Sequence, residues 1–271
     1  MGIKIGLDVG GSTTKIVGMR DGKLCYKALV KANDPVTSAY GAVGKLINDN
    51  GIGLDDIDMI HITGVGAGFP EGSILGIKTV QIKEFNATGK GGLFLSGFEH
   101  AVVVSLGTGT AYLDATNDEI RHIIGSGVGG GTLVGLCNSI LGVDDAEKLS
   151  ELAEAGNIAA VDLTIGDITK TDIPGLPMDA TASNFGKVAD DLTREDKAAG
   201  IFNLVFQAIG SMAVLSSKVA GIRDIVFTGQ LADFAQCRSV LATFHDLYDV
   251  NFVVPEDAVF ATAIGACLAE E

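Results

Sequence analysis

Two distant stretches of this chain are built alike. Residues 57–69, IDMIHITGVGAGF, align without gaps on residues 222–234, IRDIVFTGQLADF. Six of the thirteen positions agree: Ile57 with Ile222, Ile60 with Ile225, Thr63 with Thr228, Gly64 with Gly229, Ala67 with Ala232 and Phe69 with Phe234. Each stretch reads as an apolar strand ending in Thr-Gly. A glycine-rich hairpin precedes each of them. In the first, Ile3 to Leu7 is a strand, Asp8-Val9-Gly10-Gly11-Ser12-Thr13-Thr14 a tight turn and Lys15 to Met19 the returning strand. In the second, Ala101 to Ser105 leads into Leu106-Gly107-Thr108-Gly109-Thr110 and returns through Ala111 to Leu113, with Ser105 in place of the acid. A hairpin, a helix and a Thr-Gly strand, met twice in that order, are the mark of a duplicated fold.

The first helix is announced by Asp34-Pro35, an N-cap followed by proline at the first helical position, with Tyr40, Val43 and Ile47 at helical spacing. Thr79 to Ile82 reads as a further short strand, and Leu149 to Ala155, Phe202 to Val219 and Ala261 to Glu270 as helices. The second copy carries roughly seventy extra residues before its Thr-Gly strand. We expect an N-terminal half over 1–98 and a C-terminal half over 99–271, the latter with an insertion at about 136–200 whose 156–200 part is polar. Two such α/β halves enclose a cleft, and both hairpins face it. This plan resembles the duplicated actin/hexokinase/Hsp70-like, ribonuclease H-like arrangement, which implies two domains with a nucleotide cleft between them.

Composition narrows the partners. The formal charge of −15 argues against nonspecific binding to nucleic acid or to an anionic membrane. No apolar run reads as a membrane span, and the opening MGIKIGLDVGG does not read as a secretory leader. Cys25, Cys137, Cys237 and Cys267 form no C-x-x-C pair, which argues against a zinc knuckle or a disulfide framework and points to a reducing cytoplasm. Glycine stands out, with 37 of 271 residues. It clusters beside apolar runs, as in phosphate loops.

The glycine turns carry the chemistry. Gly10 and Gly11 let backbone N–H groups approach phosphate oxygens, Ser12 and Thr13 add hydroxyl donors, Lys15 offsets phosphate charge, and Asp8 suits Mg2+, directly or through water. Gly107 and Thr108 can meet the other side of the same phosphate chain. In Gly125 to Gly135, Gly129-Gly130-Gly131-Thr132 is expected at a helix N-terminus in close approach to a ligand. Gly229 and Gln230 follow the second Thr-Gly strand and are expected beside adenine or ribose, by analogy with the fold. Glu84 sits just past a strand that ends at the cleft, where a kinase needs a group to accept or orient the proton of a hydroxyl. His61, His100, His122 and His245 have no partner at metal-ligand spacing.

These residues resemble the type II pantothenate kinases. The matching segments are Asp8 to Ser12 with Lys15, Glu84-Phe85, Leu106 to Thr110, Gly129 to Thr132 with Gly135-Leu136, Thr181-Ala182-Ser183-Asn184-Phe185-Gly186, and Ala263-Ile264-Gly265-Ala266. The resemblance implies ATP-dependent phosphorylation of the primary hydroxyl of pantothenate, with Glu84 as catalytic base. It implies nucleotide contacts from Thr108 and from Gly130, Gly131, Thr132, Leu133 and Val134, and a homodimer. One position departs from the family pattern. Where the family has an Arg that grips the pantothenate carboxylate, this chain has His122, with Arg121 one residue earlier, and Ile124 stands where the family has a small residue. Either Arg121 takes over, or the acceptor is a relative such as pantetheine. Two other readings share the opening motif: an ATP-driven activator like those of the 2-hydroxyacyl-CoA dehydratases, and a nucleotide-binding sensor without catalysis.

Overall fold

The computed structural model describes residues 2–31, 34–64, 72–188 and 190–269. Its first half opens with an antiparallel meander, β1 (Ile3–Val9), β2 (Thr13–Arg20) and β3 (Lys23–Lys31). The helix α1 (Pro35–Asn50) crosses to β4 (Ile57–Thr63), which runs parallel to β1. β5 (Ser73–Ile74), β6 (Ile77–Gln81) and α2 (Glu84–Ser96) complete the half, and the strand order is β3-β2-β1-β4-β6-β5. The Asp34 carboxylate caps α1 by accepting from the Thr37 amide at 2.7 Å, and Gly51 ends the helix in the left-handed conformation. Its apolar face (Ala39, Ala42, Val43 and Leu46) packs on Ile3, Ile5, Leu7 and Val9, the alternate residues of β1. Gly6 and Asp8 therefore face the opposite side of the sheet.

The second half repeats the plan. β7 (His100–Leu106), β8 (Thr110–Thr116) and β9 (Ile120–Ser126) form the meander, followed by α3 (Gly130–Leu141). The additional chain holds α4 (Ala146–Ala155), α5 (Ile158–Val161), β10 (Leu163–Thr164), α6 (Ile165–Ile168) and β11 (Thr181–Ser183). Then come the long α7 (Arg194–Ala220), β12 (Asp224–Thr228), α8 (Ala235–Tyr248), β13 (Asn251–Val253) and α9 (Ala261–Leu268). The strand order is β13-β12-β7-β8-β9. Read from β9, this is the β3-β2-β1-β4-β6 order of the first sheet. By length and a mean hydropathy of 1.7 over its best window α7 could cross a membrane, but 67% of that window is buried inside the protein. It is the core helix of the second half, packing Phe202, Val205, Phe206 and Ile209 on Val102, Val104, Leu106 and Tyr112.

Register confirms the duplication residue by residue. Asp8 pairs with Lys15 and Thr63, and Ser105 pairs with Ala111 and Thr228. Gly64 has φ +103° and Gly229 has φ +93°, a region closed to most side chains. A Cβ on Gly64 would stand 2.8 Å from the Val9 carbonyl carbon, and one on Gly229 would stand 2.9 Å from that of Leu106. Each Thr-Gly end is thus locked against the last residue of the strand that feeds a glycine turn. Ala67 and Phe69, the rest of the first repeat, lie outside the described residues.

The last helix of each half leans on the other half's sheet. α2 packs on β7, β8, β9 and β12, while α9 packs on β1, β2 and β4. Leu93 of α2 joins Val103, Leu113 and Val226, and Ala263, Ile264 and Cys267 of α9 join Val17 and Met19. The two helices also pack on each other, between the sheets.

Candidate active site

The site assembles where β1, β4, α2, β7, β9 and α3 end or begin. Asp8 is partly buried near the C-terminal end of β1, with Lys15 beside it on β2. Burial pushes the Asp8 carboxyl up to about 6; the Lys15 ammonium opposes this shift and the Glu84 carboxylate adds to it. Glu84, the first residue of α2, is therefore close enough to Asp8 for the two carboxylates to repel. The Gly10 N–H donates to the Thr13 carbonyl at 3.1 Å, closing the first turn with Gly11 and Ser12 exposed at its tip. Thr14, the residue after the turn, is buried and shares a 2.5 Å hydrogen bond with Ser38 of α1, which ties the hairpin to its helix.

The second turn is closed the same way, by Gly107 N–H donating to the Gly109 carbonyl at 3.0 Å. Gly107 and Thr108 are exposed. The start of α3 is docked onto this turn: the Gly130 amide donates to the Gly107 carbonyl and the Gly131 amide to the Thr108 carbonyl, both at 2.9 Å. These two amides hold the second hairpin, and Gly131 remains exposed at the same corner. Thr132 stabilises the same corner, its hydroxyl donating to the Gly127 carbonyl at 2.8 Å. Val134 is half-buried at the start of the second turn of α3. The Leu133 side chain is buried in the second core, and its amide donates to the Gly129 carbonyl. Gln230 is exposed just after Gly229, and the neighbouring Leu231 packs against Gly130. Gly107, Thr108, Gly130, Gly131, Gly229 and Gln230 are therefore one cluster.

Arg121 and His122 part company. Neighbours on a strand point to opposite faces. His122 turns toward α2 and stacks on Phe85, with ring centroids 4.8 Å apart and planes 5° from parallel. Phe85 follows Glu84 in the first turn of α2. Arg121 turns to the other face and pairs with Asp114 at 2.8 Å, where His100 also reaches Asp114 at 2.7 Å. Arg121 is thus held on the face of the sheet opposite His122.

The Thr181–Gly186 motif closes round Asp162, a residue that sequence reading passed over. The fully buried Asp162 carboxylate accepts from Asn203 Nδ2 at 2.7 Å, the Phe185 amide at 2.8 Å and Asn184 Nδ2 at 3.1 Å. It fastens the additional chain to α7.

Residues 100–268 match the model of one protein family, Fumble. The chain belongs to the Fumble family. Two relatives aligned over nearly their whole length carry the same name. The type II pantothenate kinase of Staphylococcus epidermidis is 28% identical over 97% of this chain and 99% of its own length. The type II pantothenate kinase of Bacillus cereus is 27% identical, covering 97% of each. Among solved structures, the activator of 2-hydroxyisocaproyl-CoA dehydratase from Clostridium difficile, with bound ADPNP, superimposes with a TM-score of 0.71 at 20% identity over 98% of this chain and 93% of its own. A ROK family glucokinase from Streptomyces griseus, in complex with glucose and AMPPNP, gives 0.59 at 13% identity over 98% of both chains. These likenesses establish the duplicated actin/hexokinase-like fold for this Fumble family member.

Proposed function

We propose that this chain is an ATP-dependent kinase that transfers the γ-phosphoryl group to the primary hydroxyl of pantothenate, giving 4′-phosphopantothenate and ADP. The observation that supports the reading is Glu84 at the start of α2, within electrostatic reach of Asp8, with its neighbour Phe85 stacked on His122. The names of the full-length relatives support the same reaction.

In this reading ATP lies between the two glycine turns, with Gly10 to Thr13 on one side of the phosphates and Gly107 and Thr108 on the other. Gly229 and Gln230 meet the nucleoside. Lys15 offsets the charge that spreads over the phosphoryl oxygens as the bond to ADP breaks. Glu84 accepts the proton as the acceptor oxygen attacks phosphorus. Mg2+ fits the donors present: among the described residues no three His, Cys, Asp or Glu gather to cage a metal, and one carboxylate, Asp8, stands at the first turn. Mg2+ characteristically uses one or two carboxylates with substrate phosphates and water, and when bound it disperses phosphate charge. His122, packed on Phe85, lines the acceptor end and discriminates among acceptors.

The activator reading requires a suitably placed pair of cysteines for a shared cluster. Cys137, Cys237 and Cys267 are buried, and among the described residues only Cys25 is exposed. The protein is read as a homodimer working in the cytoplasm, and exposed Leu215 and Val219 on α7 offer apolar surface for a second copy. Incubation with ATP, Mg2+ and pantothenate, with mass spectrometry of the products, tests the function. Phosphopantothenate is the expected product. ATP bound but no acceptor phosphorylated, with either pantothenate or pantetheine, refutes the kinase reading.

A further inference from the structure

Thr63 is the last residue of β4 and lies in register with Asp8 on the adjacent parallel strand. Side chains paired in this way point to the same face of a sheet, about 4.8 Å apart. Thr63 is 3% exposed, and its hydroxyl has no hydrogen-bond partner among the described residues. Its counterpart in the second half behaves differently. Thr228, paired with Ser105 where Thr63 is paired with Asp8, donates its hydroxyl back to the Val104 carbonyl at 3.2 Å. The carbonyl that corresponds to Val104 in the first half is that of Leu7, and Thr63 makes no bond to it. A buried hydroxyl is normally satisfied. In the half that carries the acid, this one is left unpartnered and buried, on the strand paired with Asp8.

We propose that Thr63 is a positioning residue for phosphoryl transfer: its hydroxyl oxygen accepts from a water of the shell of the divalent cation that accompanies the nucleotide at Asp8. The proposal rests on the kinase reading above. The chemistry suits the site. Mg2+ gives up its waters reluctantly, so a site with one carboxylate leaves several waters that need protein partners. The protein groups that orient such a shell tune metal affinity without touching the metal. A threonine on the strand next to the acid is stiff at χ1 and offers such a partner at low entropic cost.

The test is Mn2+ binding to the full chain in the presence of ADP, read from the electron paramagnetic resonance of free Mn2+. Thr63→Val keeps the shape and removes the hydroxyl; Thr63→Ser keeps the hydroxyl. We expect Thr63→Val to weaken Mn2+ in the ADP complex by about tenfold or more, to leave metal-free ADP affinity within about twofold, and Thr63→Ser to restore Mn2+ binding. Thr63→Ala against Thr63→Ser makes the same comparison should the valine variant fold poorly. Mn2+ affinity unchanged in the hydroxyl-free variants, or ADP affinity lost equally without metal, overturns the proposal. If the wild-type chain takes up no Mn2+ with ADP, the proposal and the kinase reading fall together. If Mn2+ binding follows the hydroxyl while no acceptor is phosphorylated, the Thr63 assignment is upheld and the kinase reading alone fails.

Discussion

Gly265 of α9 crosses Gly91 of α2 so closely that a Cβ on Gly265 would stand 2.5 Å from the Gly91 nitrogen and closer still to the Ala87 carbonyl oxygen. Both obstacles are backbone, so they cannot turn aside as a side chain would. Overpacking a core by a methyl group costs about 1–3 kcal/mol even where side chains yield. Gly265→Ala should therefore destabilise by about 3 kcal/mol or more, a drop of roughly 6–12 °C in thermal midpoint. It should also lower turnover, because α2 carries Glu84. A midpoint within a degree of wild type would show that the crossing is looser than described.

Asp8 links function to stability with a definite sign. It titrates near 3.8 when unfolded and about 6 when folded, chiefly through burial. The folded state thus binds this proton more tightly, and stability falls as pH rises from about 4 to about 6, with the full loss present above. Two units correspond to about 3 kcal/mol. Asp8→Asn should be more stable than wild type at pH 8 by up to roughly that amount, with the advantage fading toward pH 4, and should be inactive. Urea unfolding at both pH values checks this. An equal difference at pH 4 and pH 8 would contradict it.

The split between Arg121 and His122 separates their roles in kinetics. His122→Ala should raise the KM for the acceptor about tenfold, the value of one lost hydrogen bond of roughly 1.4 kcal/mol, with the KM for ATP unchanged. Arg121→Ala should move neither constant by more than about twofold, since an exposed ion pair is worth under about 1 kcal/mol. Steady-state kinetics with pantothenate and with pantetheine reads both. The reverse pattern would mean that Arg121 leaves Asp114 to meet the acceptor.

Asp162 should behave as a structural anchor. Asp162→Ala strands the donors of Asn203, Asn184 and Phe185 in a buried space and should cost roughly 3 kcal/mol or more. Asp162→Asn keeps the shape but puts a donor where an acceptor is needed, and should cost about half as much. Denaturant midpoints of the two variants decide the matter, and a neutral alanine variant would refute the anchor.

Much of the frame was legible because its signals are local. Asp34 caps α1, β4 spans Ile57 to Thr63 as read, and the matching hairpins and Thr-Gly ends occupy equivalent places in the two sheets. What escaped depends on distant neighbours. α2 contains Gly89, Gly91 and Gly92, a poor helix by propensity, yet those glycines meet Ile120, Ala261 and Val103. Tertiary contact overrides propensity there. β9 mixes exposed and half-buried residues without the alternation that marks a strand, so nothing local showed that Arg121 and His122 would face apart. The use of the Gly130 and Gly131 amides depends on where the second turn lies. Thr63 was visible as a repeat match with Thr228, but its open hydroxyl emerges only when the two halves are compared in three dimensions.

The most direct test is pantothenate-stimulated release of ADP from ATP and Mg2+ by the wild-type chain and by Glu84→Gln, with ATP affinity measured in parallel. Glu84 beside Asp8 leads us to expect stimulation in the wild type, a fall of about 10²–10⁴ in kcat for the variant and unchanged ATP binding. Equal turnover by both proteins would contradict the assignment of Glu84 as the group that accepts the acceptor's proton.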